Sequence, residues 1–226
     1  MVLHLKAVIF DLDGLVLDSE SGYVTAWRQA ATEMGYALDD EFCRSLSGLH
    51  GASVERRLQE HFGHDFDVQR FHRLSGEFWT AQVQRHGIPI KKGFFNVLST
   101  VERFGLPFCL ATNSSRDNTS RCLELAGLSE VFSKMITRDE VMHGKPAPDV
   151  FITAAKCLGV AVGECLVLED SPVGVAAAVA AGAPCIYVPS VYPADNEAVA
   201  CALAVLEDLD QAAGFILACQ AHLFQV

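Results

Sequence analysis

Short apolar runs alternate along the chain with longer stretches in which apolar residues recur every three or four positions. The first run, Ala7–Phe10, predicts a strand that is buried on both faces, as in a parallel sheet. From residue 92 onward, helical patterns separate further strand-like runs, which lie at 107–111, 134–137, 165–168, 185–188 and 203–206. This alternation predicts an α/β fold with a doubly wound parallel sheet and a terminal helix.

The segment 18–88 has a different pattern, with apolar residues at helical spacing and no strand-like run. Its first helical pattern includes Tyr23 and Trp27, which we expect to lie in the interior of the segment. Three more helical patterns follow within it. We therefore expect an all-helical bundle that is inserted into an α/β core made of residues 1–17 and 89–226.

Composition narrows the class of protein. The chain has 226 residues, of which 50% are hydrophobic, enough for a core domain and a smaller insertion. The formal net charge of −11 argues against partners such as nucleic acid or an anionic membrane surface. The longest apolar segments are too short to cross a bilayer. We expect a cytoplasmic protein that is a monomer or a weak dimer.

The eight cysteines form no Cys-x-x-Cys motif, and most of them lie within apolar runs. This usage predicts buried free thiols in a reducing compartment, and neither disulfides nor a zinc site.

Two carboxylates, Asp11 and Asp13, come directly after the first predicted strand. Because residues two apart on a strand point to the same side, both acids face one spot. Gly14 allows the chain to turn there. Two like charges at one place need a cation or a shared proton to offset them. The pair therefore indicates a magnesium site with one acid free to react.

Three other loops carry polar groups at places where a parallel sheet forms its ligand site. They contain Thr112-Asn113-Ser114, Lys145, and Glu169-Asp170. Thr112 and Ser114 can also cap the helix that follows them.

The chemistry that suits these groups is phosphoryl transfer. A divalent cation held by Asp11 and Asp170 would offset the repulsion between a carboxylate and a phosphate ester. Lys145 would add positive charge, and a hydroxyl with backbone amides would bind the remaining oxygen. Asp11 could then attack phosphorus, with Asp13 as the acid and base. Magnesium fits better than zinc or copper because the available ligands are hard oxygens.

Four motifs in order resemble those of the haloacid dehalogenase (HAD) superfamily, in particular its β-phosphoglucomutase-like phosphatase branch with a helical cap. They are Asp11-Leu12-Asp13-Gly14, Thr112-Asn113-Ser114, Gly144-Lys145-Pro146-Ala147-Pro148-Asp149 and Glu169-Asp170-Ser171. The resemblance covers essentially the whole chain. One such motif is weak evidence of a family, whereas four in order are specific.

The resemblance implies roles for the acids. Asp11 would be the nucleophile and a metal ligand. Asp13 would be the general acid and base, and its backbone carbonyl would also bind the metal. Asp170 would be a metal ligand, and Glu169 would support the metal directly or through water.

The resemblance also assigns the phosphoryl group to Thr112, Asn113, Ser114 and Lys145, with Thr112 and Lys145 counted as catalytic. The segment 18–88 would be a cap that closes over the site, with hinges at 14–18 and 87–92. His50, in a glycine-flanked break between two cap helices, is a candidate substrate-binding residue.

The reaction that we predict is magnesium-dependent hydrolysis of small phosphomonoesters, such as sugar phosphates, through an aspartyl-phosphate intermediate. The alternative is a mutase of the β-phosphoglucomutase type. Such mutases place a histidine in the first cap helix and an arginine in the cap loop, where this chain has Tyr23 and Gly51. An arginine can hold a distal phosphate while the intermediate binds again in the opposite orientation.

Other classes fit less well. True dehalogenases lack the second acid and the metal site, and phosphonatases use a cap lysine, whereas 18–88 contains none. Receiver domains combine similar groups in another order and have no helical insertion. A catalytically idle binding protein on this fold remains a further alternative.

Overall fold

We analysed a computed structural model, which describes residues 4–46 and 51–221. The chain divides into two compact units, one formed by residues up to 17 and from 89 onward, and the other by residues 18–88. None of the described helices is both long and apolar enough to cross a membrane.

The first unit contains a parallel sheet of six strands, which confirms the predicted α/β class. Its strands are β1 Ala7–Phe10, β2 Phe108–Ala111, β3 Met135–Ile136, β4 Cys165–Glu169, β5 Cys185–Tyr187 and β6 Ala204–Val205. The strand order is β3-β2-β1-β4-β5-β6, so successive crossovers run outward from β1 in both directions. The ends of β1 and its two neighbours therefore flank the point where such sheets bind ligands.

The central strand β1 is fully buried, as its unbroken apolar run predicts. In the register, Phe10 lies between Leu110 of β2 and Leu168 of β4. Residues that follow these three positions are thereby brought to one edge of the sheet. The predicted site residues that follow β1, β2 and β4 lie at this edge.

The described residues of this unit also form six α-helices. They are α5 Phe94–Arg103, α6 Arg116–Leu125, α7 Asp149–Leu158, α8 Pro172–Ala181, α9 Asn196–Cys201 and α10 Leu209–Ala221. Helix α7 supplies Val150, Phe151 and Ala154 to the core cluster that also contains Ile9 and Val167. The sequence pattern does not predict α9, which has six residues and begins at an Asp195 cap.

The secondary-structure elements described in the second unit are all helices. Its helices are α1 Ser19–Glu33, α2 Asp40–Leu46, α3 Gly51–Phe62 and α4 Val68–His86. The ring of Tyr23 stacks on Trp79, with centroids 5.4 Å apart, and on Trp27 at 6.3 Å. Tyr23 and Trp27 are half-buried. His50, the candidate substrate-binding residue, lies outside the described residues.

All eight cysteines are free, as predicted, but not all are buried. Five are buried, whereas Cys157 and Cys201 are exposed and Cys219 is intermediate. The expectation of burial is wrong for Cys157 and Cys201 because each lies near a helix end, where an apolar run reaches the surface.

Candidate active site

Asp11 and Asp13 lie at the carboxyl end of β1. The N–H of Asp11 donates to the carbonyl of Leu168 on β4 at 3.1 Å, which continues the sheet pairing by one residue. Asp11 is buried, and Asp13 is half-buried. Gly14 has φ of 90°, a left-handed conformation that glycine adopts without strain, and it turns the chain away at this point.

The ammonium group of Lys145 lies between two carboxylates. Its Nζ donates to Oδ1 of Asp11 and to Oε1 of Glu169, both at 2.5 Å, and to the carbonyl of Ala111 at 3.0 Å. These contacts use the three N–H donors of an ammonium group. The ring of Phe151 faces the same nitrogen, 4.9 Å from its centroid. The buried lysine side chain is thus held at its charged end.

Burial raises the pKa of the Asp11 carboxyl well above its ordinary value. Lys145 opposes this rise, whereas Glu169 and Asp13 add to it. Burial alone would lower the pKa of Lys145, but the charges of Asp11 and Glu169 outweigh it and hold that pKa above its ordinary value. Lys145 therefore stays charged at neutral pH and supplies fixed positive charge beside Asp11.

Glu169 is held by the beginning of α8. Its Oε2 accepts from the N–H groups of Asp170 and Ser171 at 3.1 and 3.2 Å, and from the Ser171 hydroxyl at 3.0 Å. A Cβ on Gly174 would lie 1.9 Å from the carboxylate carbon of Glu169, so only glycine allows this approach. The free N–H groups of a helix start suit a carboxylate.

A divalent cation fits the acids at this edge. Asp11, Glu169 and Asp170 are buried, and each offers a carboxylate oxygen within 4.8 Å of the others. Hard oxygen ligands of this kind suit magnesium. A Cβ at position 14 would lie 2.0 Å from Oδ2 of Asp170, so Gly14 leaves room for that carboxylate. The Asp13 carboxylate is not part of this group of acids and accepts a hydrogen bond from the Ser114 hydroxyl. This arrangement is compatible with the expected metal contact through the backbone carbonyl of Asp13.

The loop after β2 brings three predicted residues to the same place. Thr112 is buried, and its Oγ1 accepts from the N–H of Ser114 at 3.0 Å. The Ser114 hydroxyl donates to Oδ2 of Asp13 at 2.7 Å. The cap of α6 is neither of these residues but Ser115, whose side chain accepts from the N–H of Asn118. This corrects the expectation that Thr112 or Ser114 caps the helix, because both hydroxyls have other partners.

Asn113 is exposed, and its side-chain amide binds the backbone of Lys145. Its Oδ1 accepts from the N–H of Lys145 at 2.8 Å, and its Nδ2 donates to the carbonyl at 3.1 Å. The amide of Asn113 is thus engaged with the loop that carries Lys145, residues 141–148, which we call the lysine loop. The predicted phosphate contact of Asn113 stays a prediction.

Sequence reasoning missed several groups at the site. The Ala111 carbonyl gives no side-chain signal, and Phe151 lies in a helical pattern that gives no sign of a contact with Lys145. Gly174 looks like an ordinary residue in an alanine-rich helix, although its missing side chain makes room for Glu169. A glycine inside a helix, where it costs stability, is the one signal that could have drawn attention to it.

The chain is similar in sequence and in fold to known proteins. The sequence profile described as haloacid dehalogenase-like hydrolase matches residues 8–188. Hexitol phosphatase A from Escherichia coli (strain K12) is 30% identical over 215 residues, which cover 92% of this chain and 94% of the relative.

Two solved structures share the architecture. A HAD family hydrolase from Deinococcus radiodurans R1, with bound phosphate and sodium, has a TM-score of 0.81 and 28% identity, covering 96% of this chain and 97% of that one. A β-phosphoglucomutase from Clostridium difficile has a TM-score of 0.74 and 23% identity, covering 97% and 98%. The second likeness concerns the fold alone.

Proposed function

Because the chain belongs to the haloacid dehalogenase-like hydrolase family, we propose that it is a magnesium-dependent phosphatase of small phosphomonoesters, in particular sugar phosphates. One observation carries the proposal: Asp11 lies within hydrogen-bonding distance of a buried lysine and beside two further buried acids. This set combines a nucleophile, fixed positive charge and ligands for a cation. The name of the relative hexitol phosphatase A supports the sugar-phosphate class.

Asp11 is the proposed nucleophile. Its carboxylate oxygen forms a bond to phosphorus while the bond from phosphorus to the ester oxygen breaks, which leaves an aspartyl phosphate. Water then attacks phosphorus, the acyl-phosphate bond breaks, and inorganic phosphate leaves with Asp11 restored.

Asp13 is the proposed general acid and base. It gives a proton to the departing ester oxygen and later takes one from the attacking water. The hydrogen bond from Ser114 supports this role because it fixes the direction of the Asp13 carboxylate.

Asp11, Asp170 and the backbone carbonyl of Asp13 would hold the metal, with Glu169 in support. Magnesium bound there supplies positive charge that offsets the repulsion between a carboxylate and the phosphoryl oxygens. Lys145 adds charge from the chain itself, and Thr112 and Ser114 offer neighbouring donors. A preorganised set of charges costs little reorganisation during the reaction.

We propose that the helical unit 18–88 acts as a movable cap that excludes water while substrate binds. The two proposed hinge segments are joined by a hydrogen bond, in which Lys91 donates its N–H to the Val16 carbonyl at 2.9 Å. Leu17 and Ile90 form an antiparallel bridge beside this bond.

His50 stays a proposed substrate contact. The proposed substrate is a small phosphorylated metabolite. We also propose that the protein is cytoplasmic and is a monomer or a weak dimer.

The alternative is a mutase, because a β-phosphoglucomutase has the same fold and a fold alone does not separate the two reactions. The sequence disfavours the mutase, because Tyr23 and Gly51 lie near the places where such mutases have a histidine and an arginine. Hydrolysis by water therefore remains our proposal.

A panel of phosphorylated sugars, assayed for released phosphate with and without magnesium, tests the function. We expect magnesium-dependent release from p-nitrophenyl phosphate and faster release from one sugar phosphate. If glucose 1-phosphate and glucose 6-phosphate interconvert faster than free phosphate appears, the mutase replaces the hydrolase. No release from any ester would contradict both the phosphatase and its proposed nucleophile.

A further inference from the structure

The side-chain amide of Asn113 satisfies both polar backbone groups of Lys145. Its oxygen accepts from the lysine N–H at 2.8 Å, and its nitrogen donates to the lysine carbonyl at 3.1 Å. The two residues are 32 positions apart, on separate loops. A pair of hydrogen bonds in opposite directions fixes orientation as well as distance, because both must keep their angles.

The opposite end of Lys145 is fixed by charged partners. Its Nζ reaches Asp11 and Glu169 inside the buried site. A lysine side chain has four methylene groups and much rotational freedom, so the position of its ammonium depends on where its backbone is held. Asn113 therefore fixes the backbone position of Lys145, from which the side chain extends to place its positive charge beside Asp11.

Gly144 allows Asn113 to come close to the backbone beside Lys145. A Cβ at position 144 would lie 2.6 Å from Oδ1 of Asn113 and 2.5 Å from Cδ of Arg138. Arg138 links the same two loops, because its N–H donates to the Ser114 carbonyl and its Nη1 to the Val141 carbonyl, both at 3.0 Å. The lysine loop is thus drawn against the loop after β2.

We propose that Asn113 is a positioning residue that acts on the reaction through Lys145, rather than a ligand of the phosphoryl group. This inference rests on the proposed phosphatase function. Because Asn113 is exposed and outside the apolar core, its removal should disturb the lysine more than the fold.

Three variants and one control test the proposal. Asn113→Ala removes both hydrogen bonds, and Asn113→Asp keeps the acceptor but sets an oxygen against the Lys145 carbonyl. We expect each to lower kcat by about tenfold, with Tm within about 3 °C of the wild type. Ser115→Ala, in the same loop, removes only the cap of α6, so Tm should fall while kcat is unchanged. Asn113→Gln keeps the amide oxygen and the amide nitrogen, so its kcat should lie between those of Asn113→Ala and the wild type.

A double-mutant cycle with Lys145→Ala separates the two roles. The measurement is the Kd of inorganic phosphate with magnesium present, by calorimetry. If Asn113 acts through the lysine, Asn113→Ala weakens phosphate binding in the wild type but changes nothing in Lys145→Ala. An equal loss in both backgrounds would show direct phosphate binding and overturn the proposal, as would a wild-type kcat in Asn113→Ala. An inactive wild type contradicts the phosphatase proposal, while the binding cycle still tests the role of Asn113.

Discussion

The hydroxyl of Ser114 donates to Oδ2 of Asp13 at 2.7 Å, across 101 positions of sequence. This contact joins the loop after β2 to the end of β1. It ties the proposed acid and base to the neighbouring strand, so the orientation of Asp13 is set from outside its own loop.

Ser114→Ala should therefore lower kcat by about tenfold, which corresponds to the loss of one hydrogen bond to a charged group. Asp13→Asn should lower kcat by at least about a hundredfold, because the proton transfer itself is lost. Steady-state rates with a sugar phosphate give both values. A Ser114→Ala enzyme with lower kcat than Asp13→Asn would contradict the order of these roles.

Asp11→Asn should abolish turnover, since an amide oxygen cannot form the aspartyl phosphate. The check is single-turnover release of phosphate, together with trapping of phosphorylated protein from the wild type by rapid acid quench. Wild-type rates in Asp11→Asn would show that the nucleophile lies elsewhere.

Magnesium should stabilise the protein as well as activate it. A ligand that binds only the folded state, at about a hundred times its Kd, adds about 2.7 kcal/mol, which would raise Tm by roughly 5–10 °C. Asp170→Asn should lose most of this rise because it removes one of the buried carboxylates that we propose as metal ligands. Thermal unfolding with magnesium and with a chelator measures it. An undiminished rise in Asp170→Asn would place the ion at another site.

Gly174→Ala should destabilise the protein by about 2 kcal/mol or more, because the added methyl group overlaps the Glu169 carboxylate. The matched control is Gly214→Ala in α10, where an added Cβ meets nothing within 4 Å. That change should stabilise by about 0.5–1 kcal/mol, since alanine favours a helix. Urea unfolding compares the two. Equal effects would mean that Glu169 can move away without cost.

Thiol titration should show two fast-reacting cysteines in the folded protein, the exposed Cys157 and Cys201. Burial raises the pKa of Cys109 and of Cys122 to about 12, so little thiolate forms there near neutral pH. The double variant Cys157→Ser, Cys201→Ser should lose the fast phase. In denaturant, all eight thiols should react. A fast phase that survives the double substitution would show that a buried thiol opens to solvent.

The strongest sequence patterns predicted the sheet and the residues at its edge. Ala7–Phe10 is apolar throughout because both faces of β1 are covered, so the acids that follow it must lie at a strand end. The short helix α9 has too few turns to show a clear period, and Ala198 is its one buried residue, so it lacks an apolar stripe.

Long-range pairing could not be predicted in the same way. Asn113 and Ser114 are adjacent polar residues in a loop, yet one binds the Lys145 backbone and the other binds Asp13. Local periodicity does not predict these partners, because the partners depend on which loops the sheet places next to each other. The cap at Ser115 rather than Ser114 follows from the same cause.

The stacked rings of Tyr23, Trp27 and Trp79 have a practical consequence. The chain has two tryptophans, and both belong to the helical unit. Indole fluorescence therefore originates from that unit alone, and its intensity and wavelength respond to changes around α1 and α4. Far-ultraviolet circular dichroism, in contrast, averages over the whole backbone. Comparing the two signals during denaturation would reveal whether the bundle melts together with the sheet or independently of it.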